Sequence, residues 1–429
     1  MSLLGDDPLL GKRMRAQLER LYPLCRSMTG DGVRATLDVI GESVPLSRLA
    51  IASGTTCHDW TVNDEWTVRD AYVADLSGRR VIDFQKHTLH LMGYSVPVRE
   101  QMTLAQLRPH LYTLPEHPDW IPYCTSYYQH TWGFCLTQRQ LDTMDEGPYD
   151  VVIDSHIGPG ELSIGEVLVL GDSEEEVLIS AHTCHPSLVN DNLSGIVVAT
   201  EVAAALAALP RRRWSYRFVF APGIIGSLAW LTHHEQDLRR VRHGLVLAGL
   251  GGSGHLVYKR TRHGERDIDR AAAHVVGRAG GEVRDYSPYG YDERQYNSLG
   301  FDLPVGRLTR TPHGEYPEYH TSADDLDFVT DDELVDAHAT IGRIIEVLEL
   351  DATCRNLSPY GEPQLGKRGL YPSLGGQAAT DAMMALLWTM SCSDGRTNLL
   401  DIADRAGLDF ATVAQASRDL EGADLLSRG

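Results

Sequence analysis

One short segment of the chain collects side chains that could bind a metal ion. The stretch SAHTCHPSLVNDNLSG, residues 180–195, places His182, His185 and Asp191 within ten residues. Imidazole and carboxylate are ligand types that zinc accepts in proteins. Each residue also has an ordinary structural explanation, because a carboxylate before a helix suits a cap and a His-Pro pair suits a turn. Their concentration in one loop favours a metal site over these separate roles.

A second cluster lies far along the chain, in YPEYHTSADD, residues 316–325. Here His320 is surrounded by acidic residues, and a histidine held by a nearby carboxylate is common around bound metals. Taken alone, such a segment is usually a solvated acidic loop. Because catalytic zinc sites combine three protein ligands with one open position, this distant histidine could complete the first loop. In that hypothesis Tyr319 or a backbone amide steadies an oxyanion and Glu318 transfers protons.

Three further residues near these segments allow two interpretations each. Glu293 and Arg294, in the segment DERQ (residues 292–295), could hold the charged end of a substrate or form a surface ion pair. Cys184 lies between the two early histidines, and a nearby imidazole can lower the pKa of a thiol nucleophile. A small buried cysteine is the commoner role, and we expect that role here.

The elements that would position these loops alternate between strand and helix from about residue 150. We predict strands at 176–181, 216–221 and 244–250, and helices at 193–209, 227–238, 268–278 and 331–350. Apolar strands separated by helices indicate an α/β fold, with a mixed, mainly parallel sheet and helices on both faces. Ligands bind beyond the carboxyl ends of such strands, so we expect chemistry in the loops after Ala181, Ala221 and Leu250.

Changes of pattern divide the chain into three domains. Residues 6–45 look helical, whereas residues 51–135 are rich in Trp, Tyr, Val and Thr and indicate a small inserted β-rich domain. The α/β domain would therefore be discontinuous and comprise residues 1–50 and 136–355. Residues 360–429 contain three short helical patterns, with Gly407 at a tight turn, and this arrangement indicates a winged helix.

Charge and composition limit the partners. The 429 residues include 39 basic and 59 acidic side chains, and the net charge of −20 repels phosphate backbones and anionic membranes. The winged-helix segment is itself acidic, so packing or homo-oligomerisation explains it better than DNA binding. Seven scattered cysteines and an N-terminus without a secretion-signal pattern favour the cytoplasm. We expect a small-molecule or peptide-like substrate, and no nucleic-acid or membrane partner.

Several long motifs resemble the zinc aminopeptidase-like proteins of bacteria. The resemblance is carried by HTCHPSLVNDNLSG (182–195), YPEYHTSADDLDFV (316–329), DWTVNDEWTVRDAY (59–72), LHLMGYSVPV (89–98), PYCTSYYQHTWGFCL (122–136) and DERQYNSLGFDLPVGRLTR (292–310). It implies a zinc-aminopeptidase-like fold that is interrupted by a small β domain and followed by a winged helix. The family is similar to the broader group of aminopeptidases and glutaminyl cyclases, and many members occur beside sugar or specialised-metabolite biosynthesis.

The same resemblance implies a set of metal ligands. Asp191 would be the carboxylate ligand, His320 the late histidine, and either His182 or His185 the early histidine. Two positions depart from the family pattern. Residues 222–227 read PGIIGS, so Gly223 replaces the expected general-base acid, and Gly252 stands where a second acid commonly follows a glycine. With fewer acidic ligands, a two-metal site is disfavoured, and we expect one zinc ion.

These departures leave three outcomes open. A substitute base such as Glu318 would allow hydrolysis of a small amide. A different reaction, such as cyclisation or acyl transfer, is the second outcome, and a non-catalytic binding or scaffold protein is the third. Loss of the base is severe for peptide hydrolysis, because general acid–base assistance typically contributes about 10²–10⁴-fold. We expect metal-assisted chemistry on a small amide or amino-acid-derived compound, in an altered peptidase site.

Overall fold

A computed structural model describes residues 3–5, 7–370 and 380–429. Its helices are α1 (Leu10–Leu21), α2 (Asp31–Gly41), α3 (Leu104–Leu107), α4 (Gln138–Asp142), α5 (Gly195–Ala208), α6 (Ile225–His233), α7 (Asp267–Arg278), α8 (Glu293–Tyr296), α9 (Asp331–Leu350), α10 (Asp381–Cys392), α11 (Leu399–Ala406) and α12 (Phe410–Gly422). Its strands are β1 (Ser47–Ala52), β2 (Thr56–Cys57), β3 (Trp60–Thr61), β4 (Glu65–Asp75), β5 (Arg80–Asp83), β6 (Val98–Met102), β7 (Leu111–Tyr112), β8 (Phe134–Cys135), β9 (Tyr149–Gly158), β10 (Glu161–Val169), β11 (Glu176–His182), β12 (Ser215–Ala221), β13 (Val241–Leu247), β14 (Val257–Lys259), β15 (Glu282–Arg284), β16 (Val305–Thr309), β17 (Thr353–Asn356), β18 (Asp394–Asn398) and β19 (Leu426–Arg428).

Eight strands form the central sheet, in the order β1-β10-β12-β11-β13-β16-β14-β15. The middle four strands, from β12 to β16, are parallel to one another. On the two sides, β10 runs antiparallel to β12, and β14 runs antiparallel to β16. The predicted mixed, mainly parallel sheet is therefore confirmed, and the helices and strands predicted from residue 176 onward lie within a few residues of their expected positions.

Successive residues of the central strands pack into different layers. On β11, Val177 and Ile179 belong to the core formed with α1, α5, α7 and α9, whereas Leu178 belongs to a second core with α6 and the inserted domain. Helix α5 consists mainly of apolar residues, with Thr200 and Glu201 as its polar side chains. By length and composition the window Val189–Ala208 could cross a membrane, but 78% of it is buried inside the protein, as in the core helix of a packed α/β domain.

The N-terminal helical region consists of two helices rather than one. Residues 22–30 form the turn between α1 and α2, so Leu24 and Met28, which follow Leu18 and Leu21 at helical spacing in the sequence, lie outside both helices. Pro23 directly after α1 explains the break, because a proline lacks the N–H that a helix interior needs. At Gly30, φ is +94°, and an added Cβ would lie 2.2 Å from the carbonyl oxygen of Trp66, so the turn requires glycine there.

The inserted domain is built on a second sheet in the order β5-β4-β9-β6. Strand β9 pairs antiparallel with β4 from Tyr149 to Gly158, so the insertion extends beyond residue 135, where the sequence placed its end. The apolar run of β9 buries Val151 and Ile153 in the core that the insertion shares with one face of the central sheet. The sequence alone could not assign this strand to its partner, because that partner lies some eighty residues earlier.

The C-terminal domain consists of α10, α11 and α12 with a small sheet in the order β18-β17-β19. It packs against the α/β domain through α7. The carboxylate of Asp404 on α11 lies 2.6 Å from Nδ1 of His274 on α7, and Nε2 of His274 accepts the N–H of Phe410 at 3.1 Å. Acidic residues of the winged helix are thus used to attach it to the α/β domain.

Candidate metal centre

The carboxyl ends of the parallel strands meet along one edge of the central sheet. β11 ends at His182, and the following loop runs into α5. β12 leads to Gly223, β13 leads to Gly252, and β16 leads into the segment that carries His320. Because parallel strands end on the same side of a sheet, these loops surround one crevice.

The carboxylate of Asp191 lies at the centre of this crevice and is fully buried. Its Oδ1 is 2.9 Å from Nε2 of His182, and its Oδ2 is 3.0 Å from Nε2 of His320. Ligand atoms of His182, His185 and Asp191 all lie within 4.8 Å of one another. Two ligands of a tetrahedral zinc, each bonded at about 2.0–2.1 Å, are separated by about 3.3 Å, close to these distances.

Backbone hydrogen bonds to a second acid fix the position of Asp191. Buried Asp324, four residues after His320, accepts the backbone N–H groups of Asn190 and of Asp191, the latter at 3.0 Å. The peptide bond between Asp191 and Asn192 is cis. The amide of Asn192 donates to the carbonyl of Leu247 at 2.9 Å and so ties the start of α5 to the end of β13. These hydrogen bonds therefore connect the loop after β11 with the segment around His320 and with the end of β13.

The charges at the centre suit a cation. Burial alone would raise the pKa of Asp191, but the imidazoles of His185, His182 and His320 outweigh it and hold this pKa well below its usual range. Burial lowers the pKa of His185 to about 3, so this imidazole is neutral at physiological pH. For His182, burial lowers the pKa, but the hydrogen bond to Asp191 and the nearby carboxylate charges together outweigh burial and raise the pKa, so a zinc ion would compete with a proton for this imidazole. A carboxylate and neutral imidazoles are the forms that bind zinc.

The inserted domain contributes one wall of the crevice. The N–H of Tyr123 donates to the carbonyl of His320 at 2.8 Å. Its ring lies 5.0 Å from the ring of His320 and 5.3 Å from that of His185. The hydroxyls of Tyr123 and Tyr127 are 2.6 Å apart. The insertion therefore brings aromatic rings and hydroxyl groups to the edge of the α/β domain.

Two more tyrosines stack on the histidines. The ring of Tyr319 lies 3.9 Å from that of His320, and the ring of Tyr291 lies 5.2 Å from that of His182, in nearly parallel planes. Burial raises the pKa of both phenols well above the ordinary range, so both remain hydrogen-bond donors at neutral pH. Sequence reasoning selected Tyr319 but missed Tyr291, although Tyr291 directly precedes the DERQ segment.

A carboxylate from another segment lies beside Gly223. Oδ1 of Asp292 accepts the N–H of Ile224 at 2.8 Å and the hydroxyl of Ser227 at 3.1 Å. Asp292 is 2% exposed, and burial raises its pKa. The space next to Gly223 is taken by Cys184, whose Sγ would lie 3.3 Å from a Cβ added at that position. Asp292, the first residue of DERQ, is the acid that sequence reasoning overlooked in favour of its two neighbours.

Cys184 and Gly252 each have a structural explanation. Burial raises the pKa of the Cys184 thiol to about 12, and this sulfur accepts the N–H of Gly223 at 3.1 Å. A thiol that stays protonated at neutral pH is a poor nucleophile, in agreement with the buried role expected for it. Oδ1 of Asn190 accepts the N–H of Gly252 at 3.1 Å. The residue facing Gly252 is therefore an amide, not an acid.

The remaining residues selected from the sequence have diverse surroundings. The side chain of Glu318 forms no hydrogen bond or ion pair with the part of the chain that the structure describes, whereas its carbonyl accepts the N–H of Thr321 at 3.1 Å. Glu293 is fully buried and lies 2.7 Å from the ammonium of Lys259, so a surface ion pair is the wrong interpretation for it. Arg294 is half-buried.

Comparison with known proteins shows the family. The model of a domain of unknown function, DUF4910, matches residues 15–351, and a winged helix-turn-helix model matches residues 352–428. The chain belongs to the DUF4910 family. A Clostridium acetobutylicum protein, named for polysaccharide biosynthesis and for an aminopeptidase-like domain, is 45% identical to this DUF4910 chain over 412 residues, which are 95% of this chain and 94% of the relative.

Solved structures agree with this assignment. A crystal structure from Clostridium acetobutylicum, described as that of a peptidase, matches the DUF4910 chain with a TM-score of 0.93 at 43% identity, over 98% of this chain and 96% of the other. A zinc aminopeptidase from Bacillus subtilis has a TM-score of 0.57 at 13% identity, over 80% of this chain and 96% of the other. The second likeness shows the fold alone. The resemblance to zinc aminopeptidase-like proteins and the C-terminal winged helix are both confirmed.

Proposed function

We propose that this DUF4910 protein is a zinc-dependent enzyme that hydrolyses an amide bond in a small, amino-acid-derived compound. One observation carries the proposal: the buried carboxylate of Asp191 is shared between the imidazoles of His182 and His320. His320 lies 129 residues after Asp191 in the chain. A third imidazole, that of His185, lies beside them.

The residues present fit one zinc ion. Asp191 has no lysine or arginine partner in the described part of the chain, and a buried carboxylate whose neighbours are imidazoles is suited to a shared cation. Asp191 and His320, together with either His182 or His185, would hold it and leave one position open. When bound, zinc supplies Lewis acidity and makes a water molecule acidic enough to ionise near neutral pH. Glycine at 252 stands where a second acid is expected, and the absence of that acidic ligand supports a count of one ion.

The chain's own groups can complete the chemistry. We assign proton transfer to Asp292 rather than to Glu318, because Asp292 is buried beside Gly223, where the missing base is expected, and its pKa is raised by burial. The protonated phenols of Tyr123 and Tyr319 adjoin His320 and can donate to an oxyanion.

The name of the Clostridium relative supports a place in polysaccharide biosynthesis. The substrate would then be an amide attached to a sugar or to its precursor, and we propose that the reaction takes place in the cytoplasm. The acidic winged helix, which is attached to α7 through Asp404, serves in this proposal for packing or self-association and not for binding DNA.

The test begins with the metal. Full-length protein, purified without added metal and again after zinc reconstitution, is analysed by plasma mass spectrometry. We expect about one zinc per chain, and less than about a tenth of an equivalent would contradict the proposal, since functional zinc sites are normally tight. The reconstituted protein is then incubated with N-acyl amino acids, aminoacyl amides and N-acyl amino sugars. Mass spectrometry detects addition of water across the amide.

A second candidate is a binding protein on the same fold, and Gly223 is the observation that favours it. A zinc-loaded protein that binds one of these amides without converting it would support that candidate. A product that has lost water or ammonia without hydrolysis would instead indicate a cyclase, and transfer to an added amine would indicate acyl transfer. The same assay therefore separates the three chemistries.

A further inference from the structure

A buried cluster of basic side chains lies next to the metal centre. Lys259, the last residue of β14, is directly opposite Arg307 of β16 in the antiparallel pair, and each is 3% exposed. Oε1 of Glu293 accepts from Nζ of Lys259 at 2.7 Å and from Nη1 of Arg307 at 3.4 Å. One carboxylate is thus shared between two buried cations. We call Lys259, Arg307, Glu293 and the adjacent Arg294 the basic cluster.

The basic cluster carries more positive than negative charge. Arg294 adds a third cation, and Nε of Arg294 and Nε of Arg307 have no hydrogen-bond partner in the described part of the chain. Like charges directly opposite on neighbouring strands repel, and an unpaired buried cation costs free energy. Asp292, the neighbouring acid, already accepts the N–H of Ile224 and the hydroxyl of Ser227 through its Oδ1. With three basic side chains and one carboxylate, the basic cluster has a net positive charge that a bound anion would balance.

Tyr291 connects the basic cluster with the metal centre. Cζ of Arg307 lies 5.4 Å from the centre of the Tyr291 ring, and the same ring stacks on His182. The ring of His313 lies 5.0 Å from that of Tyr291, and its Nδ1 is another buried nitrogen without a partner among the described residues. The cluster adjoins the crevice in which we place the substrate.

The loop before Tyr291 closes tightly over the cluster. A Cβ added to Gly290 would lie 2.1 Å from Oε1 of Glu293 and 2.8 Å from Nζ of Lys259. The carbonyl of Tyr289 accepts from the same Nζ at 2.9 Å. Backbone contact at this distance explains glycine at 290 and holds the ammonium in one position. Such fixed donors are what recognition of a specific group requires.

We infer that the basic cluster is an anion-binding subsite and that the substrate carries a carboxylate or phosphate group near its scissile amide. Guanidinium groups pair with both anions through two parallel hydrogen bonds. A local positive site is also needed in a chain whose net charge of −20 repels anions. Oε2 of Glu293 has no hydrogen-bond partner among the described residues and is an acceptor that a donor group of the ligand could use. The inference rests on the proposed function only in naming the anion as part of the substrate.

The test measures anion binding without using catalysis. Full-length protein is freed of metal with a chelator and titrated by calorimetry with inorganic phosphate and, separately, with glutarate, in a chloride buffer. Metal-free protein is used because phosphate could otherwise bind zinc itself. We expect saturable binding of at least one probe to a single site, and the probe that binds more tightly identifies the anionic group. Absence of binding for both probes would overturn the inference.

Variants locate the binding site. Lys259→Gln should weaken binding at least about 10-fold, because it removes a charged hydrogen-bond donor. Arg294→Gln, at a half-buried position, should weaken it too and avoids a folding defect. Lys12→Gln removes the same charge from an exposed position and should leave the affinity unchanged. Equal affinity in Arg294→Gln, Lys259→Gln and the wild type would refute the subsite.

The outcome is separable from that of the proposed function. Anion binding that is lost in Arg294→Gln, in a protein that takes up no zinc, would keep the subsite and remove the zinc enzyme. Zinc-dependent hydrolysis of neutral amides, with no anion binding in any form of the protein, would keep the enzyme and remove the subsite.

Discussion

The substitution Asp191→Asn changes the metal centre with little change of shape. The amide has the size of the carboxylate, but it carries no charge, and its NH₂ group would face one of two imidazole nitrogens now 2.9 and 3.0 Å away. Replacing residues that only orient a metal ligand typically lowers metal affinity about 10–100-fold. Loss of a charged ligand between two imidazoles should therefore lower zinc affinity at least about 100-fold, or about 2.7 kcal/mol.

This loss can be measured as zinc-dependent stability. Free zinc at 100 times the dissociation constant stabilises the wild-type protein by about 2.7 kcal/mol, whereas at the same concentration a variant with 100-fold weaker binding gains only about 0.4 kcal/mol. Urea unfolding with buffered zinc gives both values, and a competing chromophoric chelator gives the affinities directly. Asp327→Asn, at an exposed position in the same loop as His320, is the matched control and should behave like the wild type. Zinc affinity of Asp191→Asn within threefold of the wild type would refute the reasoning.

Three other outcomes follow from the same structure. Asp292→Asn should keep its zinc but lose about 10²–10⁴-fold in turnover, whereas Glu318→Gln should lose little, so the opposite order in steady-state assays would exchange their roles. Cys184→Ser should retain most of its activity, because burial raises the pKa of this thiol to about 12. Loss of all turnover in a variant that still binds zinc would show instead that Cys184 acts as a nucleophile. Burial lowers the pKa of His243 to about 4 in the folded protein, from about 6.5 in the unfolded chain. Between these two pH values the unfolded chain binds more protons than the folded protein. The free energy of unfolding is therefore highest above this range and decreases as the pH falls through it. Between pH 7 and pH 5 the wild type should lose on the order of 1–2 kcal/mol more than His243→Leu, with exposed His130→Gln as the control, and equal losses in urea titrations would show that His243 is not responsible.

The α/β framework was predictable because its signals are local. Helix α9 begins after Thr330, whose hydroxyl accepts the N–H of Glu333, and its apolar positions recur at helical spacing up to Leu350. Strand β11 is buried along its whole length and contains the apolar run 177–179, as is typical of strands buried on both faces. The loop with His182 and Asp191 was recognisable by residue type. Its connection to His320 came from the resemblance and the chemistry of zinc, and the structure brings the two segments together.

What the sequence could not show depends on pairing between distant segments. Tyr123 reaches the crevice because Ile121 and Ser322 exchange hydrogen bonds across two domains, and no local pattern encodes that contact. Asp292 was overlooked because its value comes from lying beside Gly223. The burial of Glu293 was equally hidden, since glutamate is almost never fully buried unless paired, and its partner Lys259 lies 34 residues away.

The most direct test of the central claim is anomalous diffraction at the zinc absorption edge from crystals of the full-length, zinc-loaded protein. We predict one strong peak per chain, about 2.0–2.2 Å from an oxygen of Asp191 and from an imidazole nitrogen of His320, with His182 or His185 completing the protein ligands. A peak only at other residues, or no peak above noise in crystals of protein that contains stoichiometric zinc, would contradict the account.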